Sequence, residues 1–119
     1  MPALTSTGDL LHGALDMLVL KSLALGPMHG WAISQRLRDV TRDVLKVNQG
    51  SLYPALHRLE DAGLVDAEWT TSETNRRVKV YRLTPVGRRQ IGLETAVWRE
   101  FAQAVELVLR TACRNPETR

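Results

Sequence analysis

Between Thr74 and Leu93 six side chains are basic, Arg76, Arg77, Lys79, Arg82, Arg88 and Arg89, and none is acidic. With no carboxylate beside them in sequence, they suit a polyanion; a nucleic-acid duplex carries one phosphate charge per about 1.7 Å of axis. A second group precedes them: Asn48, Ser51, Tyr53, Pro54, His57 and Arg58. Their hydroxyls, amide, imidazole and guanidinium are groups that hydrogen-bond phosphates and base edges. A merely solvated helix face is the alternative for that second group, and an ordinary charged hairpin for the first. Bond-making chemistry finds little material. His12, His29 and His57 have no metal-ligand spacing, the single Cys113 has no base beside it, and there are no paired carboxylates or phosphate-cradling glycine loop. The chain reads as a binder and not an enzyme, with no metal and no cofactor.

These groups must be held by elements that the apolar spacing predicts. Leu11, Leu15, Leu18, Val19 and Leu25 recur at helical spacing, predicting a helix over Leu10 to Leu25 with Asp9 as its cap and Gly26 and Pro27 ending it. Leu10, Ala14, Met17 and Ala24 make a second apolar face, so this helix needs cover on two sides, from its own domain or a partner. Asp16, amid that helix, marks a solvent edge, or else pairs with a basic residue of a partner subunit or accepts a ligand's hydrogen bond. A second helix spans about His29 to Thr41, with Ile33, Leu37 and Val40 inward; a loop follows around Asp43 to Val47.

Asn48 then caps a third helix running to Ala62, with Gly63 as its stop. Pro54 sits within its first turn or so, where the missing amide has little partner to lose. Leu52, Leu56 and Leu59 share the inward face and leave Ser51, Tyr53, Pro54, His57 and Arg58 facing elsewhere. Leu64 to Trp69 reads as a strand, Thr70 to Asn75 as a polar turn, and Val78, Val80 and Leu83 as inward positions of a returning strand.

Thr84 caps the last helix and Pro85 takes its first position. It runs to about Cys113, roughly 43 Å, too long for this domain alone. Ile91, Trp98, Phe101, Val105, Val108 and Ala112 form a heptad-like seam, interrupted at Glu94 and widened by Val97, Ala104 and Leu109. The predicted organisation is a DNA-binding unit over residues 1–84, whose first helix has a second apolar face open to a partner, a dimerisation helix over 85–113 and a frayed tail over 114–119.

The 119 residues, 44% of them apolar and 24% charged with a net charge of +3, fit one domain of modest basicity. One cysteine excludes an internal disulfide and fits a reducing cytosol. No apolar run reaches the roughly 18 residues of a membrane span, and no charged signal start is present, so a cytoplasmic location without membrane contact is expected.

Three helices, then a two-stranded β wing and a long helix, make a mainly α chain with the element order of a winged helix-turn-helix. At this point the sequence resembles a known family. GSLYPALHRLEDAGLV at Gly50 to Val65, RRVKVYRLTPVGRRQI at Arg76 to Ile91 and HGW at His29 to Trp31 are similar to the PadR family of bacterial transcriptional regulators, over about Leu11 to Leu109. The resemblance implies a repressor that dimerises through its first and last helices, binds palindromic operator DNA and often releases it on binding a small molecule. The short last helix resembles the compact subfamily, which includes multidrug and phenolic-acid sensors. Trp98 falls where a multidrug-sensing member has a tryptophan that stacks on flat aromatic ligands between subunits. The chain departs from the family at Trp31, where tyrosine is common, and at Asn75, where glycine is common.

Together these readings assign DNA contact to Asn48, Ser51, Tyr53, Pro54, His57, Arg58, Arg76, Arg77 and Lys79. They assign a small aromatic effector to Leu11, Leu15, Leu18, Val97, Trp98 and Phe101, and homodimer contact to Leu11, Leu15, Ile91, Trp98, Phe101, Val105 and Val108. The rival reading is a winged-helix protein-interaction module whose basic wing meets an acidic protein surface.

Overall fold

The computed structural model describes residues 7–111, with side chains from residue 14 onward. The elements are α1 (Thr7–Ala24), β1 (Met28–His29), α2 (Gly30–Val40), α3 (Gln49–Asp61), β2 (Val65–Thr71), β3 (Arg77–Leu83) and α4 (Pro85–Arg110). Helix α1 begins two residues before Asp9, so Asp9 lies in its first turn and is not its cap. The helix stops at Ala24; Leu25, expected inside, is exposed in the turn, where its N–H donates to the Ser22 carbonyl at 3.2 Å. Cys113, Ala112 and the tail lie outside the described residues, as do the side chains of Leu10, Leu11 and His12.

The other helix boundaries follow local chemistry. The His29 Nδ1 accepts from Ala32 N at 3.3 Å to cap α2, the Asn48 Oδ1 accepts from Ser51 N at 2.8 Å to cap α3, and the Thr84 Oγ1 accepts from Gly87 N at 3.0 Å to cap α4. Gly63 ends the α3 turn at φ +76°, and Asn75 turns the hairpin at φ +63°, a left-handed conformation that asparagine tolerates. Pro54 falls deeper than expected, at the sixth position of α3, where it withholds one hydrogen bond from the Gly50 carbonyl.

One core joins α1, α2, α3, the sheet and the start of α4. Leu15, Val19, Leu20 and Leu23 of α1 meet Ile33 and Leu37 of α2, Leu52, Leu56 and Leu59 of α3, Val65, Tyr81 and Ile91. Fully burying a side chain such as Leu20, Ile33 or Leu56 contributes about 2 kcal/mol. Val40, expected inward on α2, is 69% exposed, because it lies at the helix's last position, beyond the α3 contact.

The sheet has three antiparallel strands in the order β1-β3-β2, not two. Met28 pairs with Tyr81 and His29 with Val80, which straps the start of α2 to the wing. Its inward face also differs from expectation. Steps of two place Arg77, Lys79, Tyr81 and Leu83 on one side of β3 and Val78 and Val80 on the other. Tyr81, at 5% exposure, is the buried member, and burial pushes its phenol above the ordinary value. Val78 and Val80 are only half-buried.

Helix α4 spans about 39 Å at the standard rise and projects from this body, giving extents of 66 × 27 × 26 Å.

Candidate nucleic-acid interface

Helix α3 is anchored through its buried leucines and through a chain of polar bonds to α2: Gln49 Nε2 donates to Ser34 Oγ at 3.3 Å, and Ser34 Oγ donates to the Trp31 carbonyl at 2.7 Å. This leaves Asn48, Tyr53, Pro54 and His57 exposed and Ser51 half-buried. Capping uses the Asn48 carbonyl oxygen, so its amide nitrogen remains a donor. Tyr53 packs on α2: a Cβ at Gly30 would lie 2.8 Å from its ring, so Gly30 makes the close approach possible. His57 faces Asp61, one turn on, at 3.5 Å.

The wing residues divide by their partners. Lys79 has no acidic neighbour in sequence, but its Nζ reaches Glu60 Oε1 on α3 at 3.2 Å, and that hydrogen bond holds the ammonium above its ordinary pKa. Arg82 is clamped by Asp66 at 3.2 Å and Glu68 at 3.1 Å on β2. Arg76 and Arg77 are exposed, and among the described residues neither guanidinium has a carboxylate partner. Arg77 lies 5.0 Å over the Trp69 ring. His29, Trp31, Tyr53, Trp69, Arg76 and Arg77 share the wall of a groove of about 730 Å³ between α2, α3 and the wing.

Arg58 leaves this set. Its guanidinium pairs with Asp16 of α1 at 2.9 Å, 42 residues away, which settles Asp16 as an intrachain partner. That pair draws Arg58 to a second groove, of about 550 Å³, shared with Met17, Val97, Trp98 and Phe101. The Trp98 and Phe101 rings are 6.2 Å apart and tilted by 48°.

The expected effector and dimer residues also divide. Leu15 (3% exposed) and Ile91 (8%) are spent on their own chain's core, which leaves them almost no surface to offer a ligand or partner. Leu18 packs partly on that core and lines a different groove, alongside Arg99. Val97, Trp98, Phe101, Val105 and Val108 remain exposed along α4. Trp69 was missed as a site residue; its signal was its place diagonal to Arg77 across the hairpin, which only the register reveals.

A capped, exposed helix presented by a helix-turn-helix and flanked by a basic hairpin defines a winged helix-turn-helix protein. The model of the PadR-like transcriptional regulator family matches residues 19–93, and the chain belongs to that family. It is 35% identical over 94 residues to the transcriptional regulator Rv3488 of Mycobacterium tuberculosis, covering 79% of this chain and 84% of that one. Among solved structures it resembles a PadR family transcriptional regulator from Eggerthella lenta, with 33% identity, a TM-score of 0.76, and 87% and 88% of the two chains covered. A transcriptional regulator from Clostridium thermocellum is similar at 27% identity and a TM-score of 0.76, with 83% and 96% covered. The family makes this chain a DNA-binding transcriptional regulator. Among the described residues no helix is long and apolar enough to cross a membrane.

Proposed function

We infer that the chain is a homodimeric repressor that places α3 of each subunit in successive major grooves of a palindromic operator, with the wings against the flanking backbone. The observation that carries this is the groove where the exposed side of α3 meets two wing guanidiniums free of carboxylates. Asn48, Ser51, Tyr53, Pro54 and His57 supply base and phosphate contacts, and Arg76 and Arg77 supply phosphate charge. Half-sites lie about 34–36 Å apart, one helical turn.

A salt series tests it. Binding of the full chain to duplex DNA falls steeply with salt, and each phosphate contact contributes about 0.9 to the log–log slope. Arg77→Ala lowers the slope by about that amount, whereas Lys79→Met, whose ammonium is already committed to Glu60, leaves it nearly unchanged. A chain that fails to bind duplex even at low salt is instead a protein-interaction module.

The exposed apolar row on α4 supports pairing with a second copy, and the groove at Trp98 supports an aromatic effector that wedges at the seam. Such a ligand releases DNA only by preferring one separation of the recognition helices. Trp98→Ala is expected to abolish the response to flat aromatic compounds while sparing DNA binding, measured by anisotropy with and without compound. Loss of both would make Trp98 structural.

A further inference from the structure

We propose that Trp69 is a positioning residue for the wing, its indole face holding the Arg77 guanidinium in place for a DNA phosphate without cancelling its charge. The inference rests on the DNA-binding reading above. Trp69 stands opposite Lys79 in the β2–β3 register, and Arg77 is one diagonal step further toward the hairpin tip, so all three share one face of the sheet. Near the base that face is core, through Val65 and Tyr81; toward the tip it opens into the groove that Trp31 and Tyr53 also line.

The three basic residues within β3 are each held, but by different chemistry. Lys79, 5.4 Å over the Tyr81 ring, is also paired with the Glu60 carboxylate, and Arg82 with those of Asp66 and Glu68. A carboxylate fixes a cation and neutralises it in the same contact, so those two residues fasten the wing to α3 and β2 and carry little charge outward. Arg77 is held instead by a neutral π face at 5.0 Å, an attraction that leaves its full positive charge and its N–H fork for an incoming phosphate. A long arginine on a hairpin tip otherwise surrenders much rotamer freedom on binding, and the ring reduces that loss beforehand. Trp69 is 56% exposed, so it adds little to the core, and this role accounts for a large aromatic at that position.

The test uses the full chain, a labelled duplex of about 30 base pairs of arbitrary sequence at about 50 mM salt, and four variants: Trp69→Leu, Trp69→Phe, Arg77→Ala and the double Trp69→Leu/Arg77→Ala. Trp69→Leu is expected to weaken binding about threefold, the scale of an exposed cation–π contact, and to leave the salt slope unchanged because no charge is lost. Trp69→Phe retains most of the affinity, and in the Arg77→Ala background Trp69→Leu changes nothing. In the free protein, the Arg77 side-chain protons resonate upfield of those of other arginines by NMR, and Trp69→Leu removes that ring-current shift. The proposal is overturned if the shift is absent in the wild-type chain, if Trp69→Leu leaves affinity intact, or if it weakens binding equally without Arg77. A wild-type chain that shows the shift but binds no duplex overturns the DNA reading and this role with it.

Discussion

Gly87→Ala is expected to lower the stability of the chain by about 3 kcal/mol, at the upper end of overpacking costs, because the added methyl would land on the Leu64 backbone carbonyl. A flexible side chain would swing aside, but this oxygen is fixed. It accepts from Thr84 N at 3.1 Å and from Thr84 Oγ1 at 3.0 Å, in the same turn that starts α4. The second contact, Leu83 Cδ1 at 2.8 Å from the new methyl, adds to the crowding. Thermal unfolding at one fixed protein concentration checks this: a drop of about 10–20 °C is expected for a domain of this size. A change within about 3 °C would mean the turn relaxes freely and the joint is not rigid.

Phe101→Glu combined with Val108→Glu is expected to produce a folded monomer that binds its operator about a hundredfold more weakly, since two half-sites are then no longer engaged by one linked pair. Both side chains are exposed in the single chain, 60% and 74%, so the substitutions remove nothing from the core. In the proposed dimer they would place four carboxylates in an apolar seam, at a desolvation cost of several kcal/mol each. Sedimentation velocity and binding to the palindrome that the wild-type chain selects from a random library check the two halves. A double variant that remains dimeric would place the subunit contact elsewhere.

What the sequence made legible was local chemistry. Asn48 and the Thr84–Pro85 pair each fix a helix start through their own neighbours, and both starts are where the spacing predicts them. The leucines of α3 likewise announce their face by period alone. What stayed hidden depends on partners remote in sequence. β1 is two residues long and exists only because β3 returns beside it, so no pattern within Met28–His29 could declare it. Glu60 and Asp16 show no sign in sequence of pairing with Lys79 and Arg58, yet those pairs decide which basic side chains are matched by a carboxylate within the chain. β-branched Val78 and Val80 read as the inward face of β3, but the strand's phase turns the odd positions inward, so Tyr81 joins the core and the two valines are half-buried. Ile91 fits the heptad seam and the core equally by spacing; only the docking of α4 on α1 assigns it inward.

Because Thr84 and Gly87 weld α4 to the base of the hairpin, the helix behaves as a beam clamped at one end. The Leu64 carbonyl fills the joint where a hinge would need slack. Trp98 lies about 20 Å along that beam from Pro85, so a tilt of about 5° pivoting there moves the clamped end by about 1.7 Å, half the rise of one base pair. In the proposed dimer two such beams move together, so a small repacking at Trp98 is expected to change the spacing of the reading heads by about one base pair in all.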